Sequence, residues 1–259
     1  MTEYPVALVD GDILAYRIGF ASEDISERFA VARLRKTIQK YAHLEAGGLL
    51  CEVFLTGSTN FRNDLAVTKP YKGNRSAPKP KHFLALRKAM LDDGACLSIG
   101  CEADDMIGIR SQELGAGNCV VVGLDKDLLN LPGIHYNFVK REFIVVDEEQ
   151  ALLNFYRQVV TGDSVDNVAG MGRGAKAFAA KMTKGMNKDE LEDIAVCGFT
   201  KGFIPSDKQL KKLKTTVTEP MLREAQGKAR SRVDENKGLL WILHHPLSNG
   251  VGAIKVEAR

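Results

Sequence analysis

Acidic residues recur in this chain as four short clusters, each at the end of an apolar run or in a glycine turn. They are Asp10 in VALVDGD; Glu102, Asp104 and Asp105 in GCEADDMIG; Asp125 and Asp127 in VVVGLDKDLL; and Asp163 and Asp166 in TGDSVDNVAG. VALVD and CVVVGLD read as buried parallel strands, whose carboxyl ends open into the crevice of an α/β sheet. Carboxylates converging there repel one another unless cations sit among them, and hard oxygen donors in such number suit Mg²⁺ or Mn²⁺. Two such ions ~3.5–4 Å apart can generate a deprotonated water and stabilise a leaving oxygen, the two needs of phosphodiester hydrolysis. Taken alone, EADD also reads as acidic residues complementing a helix dipole, and DKD as a solvated turn after a strand. The four clusters together point to a metal-dependent phosphodiesterase.

Two further constellations suit a phosphate-bearing substrate. Arg62, Lys69, Lys72, Arg75, Lys79 and Lys81 crowd a loop-rich stretch broken by Pro70, Pro78 and Pro80. Arg binds phosphate bidentately and Lys acts as a compact charge. The turn Gly170-Met171-Gly172-Arg173-Gly174-Ala175-Lys176 exposes backbone amides at a helix start, a phosphate cradle by geometry, although it does not satisfy GxxxxGK[ST]. An exposed basic loop and a plain helix–helix turn are the bland readings of these two. His43, His82 and His135 are isolated, and adjacent His244 and His245 point apart on a helix, so side-chain nucleophilic catalysis fits poorly.

The elements that must position these residues follow from periodicity. Strands are expected at 5–10, 51–55, within CLSIG and at 119–124, with a strand pair in HYNFV and EFIVV. Helices are expected at 12–20, 26–45, 82–93, 102–114 and 148–161. This is the grammar of an α/β fold with a mainly parallel central sheet flanked by helices. Past residue 161 strand signals nearly vanish, and Lys208, Lys211, Lys212, Lys214, Arg223, Lys228, Arg230 and Arg232 accumulate. A boundary near 160 therefore separates an α/β domain, 1–160, from a helical region, 161–259. Trp241 reads as a core anchor. The 259 residues carry a net charge of only +3, so local basic stretches matter more than the balance. Five cysteines without CxxC spacing fit reduced thiols. Neither a signal peptide nor a membrane span is expected, which points to a cytoplasmic protein, in host cytoplasm if phage-encoded.

In order along the chain, VDGDILAYR, NFRNDL…KPYKGNR, CEADDMIG, LDKDLLNL and TGDSVDNVAGMGRGAKAFA resemble the motifs of the 5′-nuclease superfamily: flap endonucleases, the 5′-nuclease domain of bacterial DNA polymerase I, and phage 5′→3′ exonucleases. The resemblance runs from about Val6 to Lys181, and its LTGSTNFR wording leans toward the phage branch. It implies metal ligation by Asp10, Glu102, Asp104, Asp105, Asp125, Asp127, Asp163 and Asp166, with Asp10 and Asp125 central to catalysis. It places Lys72 and Arg75 at the scissile phosphate, below a short helical arch near 68–82. It gives Arg62, Gly170, Gly172, Gly174 and Lys176 to DNA, the last four through a helix–three-turn–helix at 163–181 that often holds K⁺. Two departures stand out: Leu55 occupies the position where many relatives carry Asp, so a first-site ligand is absent or replaced by Asp12 acting through water, and Ala169 stands where Pro is common.

The implied activity is a Mg²⁺-dependent 5′→3′ exonuclease with flap endonuclease activity, using two ions on duplex DNA with a 5′ end or flap, or on an RNA–DNA hybrid. Two alternatives stay open: a catalytically impaired DNA-binding protein of the same fold, and a PIN-type RNase. The sequence names no protein partner.

Overall fold

The computed structural model describes residues 6–43, 50–115, 117–212 and 215–245. Lys214 and the end of the helix expected to reach residue 45 lie outside them. The chain divides into two compact units, one built from residues up to 61, 76–147 and those from 242, the other from 62–75 and 148–241.

The first unit is built on strands β1 (Val6–Asp10), β2 (Leu50–Leu55), β3 (Cys96–Leu97), β4 (Cys119–Val122), β5 (Gly133–Asn137) and β6 (Glu142–Val146). The helices of this stretch are α1 (Gly11–Phe20), α2 (Glu27–Tyr41), α3 (Arg62–Leu65), α4 (Phe83–Asp92) and α5 (Ala103–Leu114), with α3 belonging to the second unit. The sheet order is β3-β2-β1-β4-β5-β6; neighbours pair in parallel except the β5–β6 hairpin at one edge. Strand alternation divides the core in two. Ala7, Val9, Leu55, Val120 and Val122 face α1, α2 and α4, whereas Val6, Leu8, Phe54, Cys119 and Val121 face α5 and the Ile242-Leu243 segment. Burial on both faces is why β4 is apolar throughout and β1 up to its final Asp10. The order of connection reverses between β1 and β4, and in such sheets the crevice lies at the carboxyl ends of that pair.

The second unit packs α6 (Glu148–Thr161), a two-residue-by-two-residue hairpin of β7 (Gly162–Asp163) and β8 (Val168–Ala169), α7 (Ala175–Ala179), α8 (Lys188–Phe203), α9 (Asp207–Lys212) and α10 (Glu219–Leu240). Tyr156, Val159 and Val160 of α6 meet Leu191, Ala195 and Phe199 of α8 and Ala229, Val233 and Leu240 of α10. The fully buried Asn236 amide donates to Val159 O at 2.9 Å and Ala169 O at 3.0 Å, tying α10 to α6 and to the end of the acidic hairpin. Asn187 and Glu190 cap α8 reciprocally. Trp241, expected as a core anchor, is instead exposed, with its ring edge-on to Phe155 at 4.9 Å.

The short helical arch expected near 68–82 takes another form: from Ala66 to His82 the chain is turn and extended backbone. Pro70, Pro78 and Pro80 withhold amide donors across that stretch.

Gly11 sets how closely α1 can leave β1. A Cβ there would lie 2.8 Å from Phe54 O and from Val53 Cγ1. Gly11→Val is therefore expected to cost about 1–3 kcal/mol of stability by overpacking, measured by urea denaturation; an unchanged midpoint would contradict this packing.

Candidate active site

In the first unit the acidic residues follow the strand ends. Asp10 closes β1 and is buried; its Oδ1 accepts from Ile13 N at 3.1 Å and so caps α1. Gly123 follows β4, and a Cβ there would stand 3.8 Å from Asp10 Cβ, which is how the β4 end and Asp125 come beside Asp10. Burial pushes the Asp10 carboxyl up to about 7; neighbouring Asp12 and Asp125 push the same way, against the lowering bond from Ile13 N. Asp125 is exposed, and its Oδ1 accepts from Asp127 N at 3.0 Å, starting the turn of the DKD segment.

The α5 start is tied to the sheet by Ala103 N, which donates to Thr56 Oγ1 at 3.0 Å just past β2. Glu102 is buried at the N-cap and Asp104 is partly exposed in the first turn. Asp105, expected as a metal ligand, also holds backbone here. Fully buried, it accepts from Glu102 N at 2.9 Å and Leu243 N at 3.0 Å, so both oxygens serve backbone amides. Asp12 is likewise engaged, by the Arg87 guanidinium and by Thr56 N at 2.8 Å. Leu55 is buried in the apolar cluster under α1, α2 and α4.

In the second unit two turns are laced together. Lys72 N donates to Asp166 O at 2.9 Å, Asn74 Nδ2 to Ser164 O at 2.7 Å, and Asn167 Nδ2 to Pro70 O at 2.9 Å. Lys72 and Asn167 both hold positive φ, 54° and 61°, a strained conformation for a lysine. The lacing gathers cations around buried Asp166: Tyr71 Oη donates to it at 2.8 Å, Arg75 Nη2 at 2.7 Å, and Lys72 Nζ stands 3.7 Å away. Asp163 Oδ1 accepts from Val165 N at 2.7 Å, and its Oδ2 from Gln158 Nε2 at 3.3 Å. Gly172 and Gly174 hold positive φ and face open space, with exposed Lys176 beyond them, while Gly170 packs against Thr161 O. Arg62, expected on DNA, is instead buried. Its guanidinium donates to Leu239 O at 2.9 Å and Trp241 O at 2.6 Å, closing the end of α10.

The first unit's sheet, with acidic strand ends, and a helical region opening on an acidic hairpin match solved structures over nearly the whole chain. A zinc-bound 5′-exonuclease of phage T5 superposes with a TM-score of 0.58 at 17% identity, covering 91% of this chain and 88% of that one. A T5 D15 flap endonuclease in complex with DNA and metal ions gives 0.57 at 17% identity, covering 91% and 97%. The fold is the one that these two structures share. In sequence, the chain is 30% identical over 205 residues to DNA polymerase I of Rhizobium leguminosarum, a match that covers 71% of this chain but 19% of that protein. The chain thus spans about a fifth of that relative's length. No protein-family model matches it.

Among the described residues, no three His, Cys, Asp or Glu side chains close on a common point as a ready ion cage. The donors nevertheless fit a hard cation. They are all carboxylate oxygens, Asp10 carries like charges beside it, and Mg²⁺ keeps several waters and asks for only one or two direct carboxylates. Asp10, Asp125, Glu102 and Asp104 are the side chains that would hold it; Asp105 supports them through the backbone.

Sequence reading missed Arg87, whose place on α4 carries no motif, and the role of Tyr71, which lies inside the KPYKGNR segment. The Asp10 carboxyl is raised from 3.8, so its ionisation destabilises the metal-free fold increasingly as pH rises from about 4 to about 7. In EDTA, Asp10→Asn is expected to raise stability by a few kcal/mol at pH 8 and not at pH 4. Thermal melts at the two pH values check this, and a loss of stability at pH 8 would contradict it. Asp105→Ala leaves two buried amides bare and is expected to cost about 2–4 kcal/mol.

Proposed function

We propose that the chain is a divalent-metal-dependent 5′→3′ exonuclease acting on DNA, with flap endonuclease activity, of the phage type, and that Mg²⁺ is its working ion. The observation that carries this is Asp10, a buried carboxylate at the end of the central strand beside Asp12 and Asp125, which a divalent cation would stabilise. The fold shared with a T5 exonuclease holding zinc and a T5 flap endonuclease holding DNA and metal ions supports the same reading.

When bound, such ions supply an activated water and electrophilic clamping of phosphate oxygens. The chain's own contribution divides by unit. Asp10, Glu102, Asp104, Asp125 and Asp127 set a fixed anionic field at the strand ends of the first unit, and α1 and α5 hold Asp10 and Glu102 in place through their caps. In the second unit, Lys72 and Arg75 rest on Asp166 and exchange that carboxylate for a substrate phosphate, where their charge offsets what develops as the bond breaks. Asp163 and Asp166 take the metal role that the family motif assigns them. The amides near Gly172 and Gly174, with Lys176, grip the duplex backbone, and a K⁺ held there would add positive charge.

The test is nucleotide release from a 5′-labelled duplex and a 5′-flap substrate, with Mg²⁺, Mn²⁺ or EDTA. Asp125→Ala and Asp163→Ala are each expected to lower turnover at least 100-fold, and EDTA to abolish it. Release by the wild type in EDTA, or undiminished turnover in both variants, would end the reading. Binding without release would favour an impaired DNA-binding protein, and preference for RNA over DNA and RNA–DNA hybrid competitors a PIN-type RNase.

A further inference from the structure

The two edges of the first unit's sheet are built differently. An edge strand presents a row of backbone donors and acceptors that can pair with another chain, and folds usually blunt it. β3 is two residues long, which blunts that edge. β6 is five residues long, contains neither proline nor glycine, and among the described residues pairs with β5 alone. Its side chains do not guard it. Phe143 and Val145 alternate onto one face and are 48% and 77% exposed. Phe143 rests on Tyr136 of β5, with ring centroids 4.9 Å apart, so the exposed ring has a fixed base.

The charges flanking this strand have opposite sign at its two ends. Lys140 and Glu142 engage each other at 3.2 Å, which leaves exposed Arg141 as the charge before the apolar run. Phe143, Ile144, Val145 and Val146 follow without a charge, and then comes exposed Asp147. Such a strand is complementary to itself run backwards. In an antiparallel pair of two copies, opposed residues must both turn their backbone groups toward the partner, so a two-fold axis passes through a residue position and not between two. With the axis at Ile144, Phe143 meets the partner's Val145 and Arg141 meets the partner's Asp147. An axis at Phe143 would set Arg141 against Val145, and one at Val145 would set Phe143 against Asp147. The Ile144 register alone matches the apolar pair and the charged pair together, and both kinds of cross-strand pair are stabilising.

We propose that the outer edge of β6 is a docking surface for a second copy of this chain, the two β6 strands running antiparallel about a two-fold axis at Ile144 and joining two six-stranded sheets into one. A foreign peptide strand would gain the same backbone hydrogen bonds, but only a second copy supplies Asp147 opposite Arg141 and Val145 opposite Phe143, each twice. Because the copies run opposite ways, the carboxyl ends of β1 and β4 open at opposite edges of the joined sheet. Each copy therefore keeps its own crevice. The proposal does not use the nuclease reading, and its failure leaves that reading intact.

The test is sedimentation equilibrium of the full chain, 28.4 kDa, across a concentration series at low salt. The wild type is expected to pass from one chain to two with a midpoint of roughly 10–100 µM, as suits a small interface. Val145→Lys should keep it at the mass of one chain. Arg141→Asp alone and Asp147→Lys alone each set like charges opposite one another twice per dimer, and each should weaken association roughly tenfold. Mixed in equal amounts, the two variants regain both opposite-charge pairs and should associate as the wild type does. A wild type that stays at the mass of one chain, a dimer that survives Val145→Lys, or a mixture no tighter than its components would overturn the proposal. Melting curves check that each variant folds. Where a charge variant does not, Val145→Lys, at an exposed position, decides the matter by itself.

Discussion

Carboxylates at the end of a central strand cannot all be charged in a dry place, and the first unit is organised around that conflict. β1 is flanked by β2 and β4, so whatever ends it is shielded from water on both sides. The residue that ends it is Asp10, capped onto α1 and close to Asp12 and Asp125. Among the described residues, no lysine or arginine pairs with it. Arg87, the nearby guanidinium, is taken up by Asp12 and by Thr56 O at 2.6 Å. The resulting upward push on Asp10 is a cost the metal-free protein carries, and a site that stores such a cost is a candidate for function.

The second unit answers the same kind of problem differently. Its buried Asp166 is compensated at once by Tyr71, Lys72 and Arg75, delivered by a turn stitched to the acidic hairpin. Holding Lys72 at positive φ is strain kept where three backbone hydrogen bonds fix the turn: Lys72 N to Asp166 O, Gly73 N to Pro70 O and Arg75 N to Lys72 O. The pairing keeps two cations near one carboxylate, with Arg75 exposed and Lys72 partly so.

Much of this was legible in the chain. Strands buried on both faces must be apolar throughout, so VALVD and CVVVG announced β1 and β4, and the charge after each marked the crevice. The hairpin of β5 and β6, and helices α1, α2, α4, α5 and α6, fell where periodicity put them; α3 was not expected. What escaped was direction. A motif shows that Asp105 and Arg62 are present, but not that each turns inward, one to cap α5 and hold Leu243, the other to close α10. Such partners lie far away in sequence and leave no local spacing to read. The Ala66–His82 stretch was read as a helical arch from its resemblance, while its three prolines spoke for extended chain.

The account turns on Asp10 needing a cation. Its most direct test is a Mn²⁺ titration followed by the loss of the free-ion electron paramagnetic resonance signal, comparing the wild type with Asp10→Asn at neutral pH. Saturable uptake by the wild type at millimolar Mn²⁺ or below, weakened at least tenfold by the substitution, is the expected result. No saturable uptake, or equal uptake by both proteins, would contradict it.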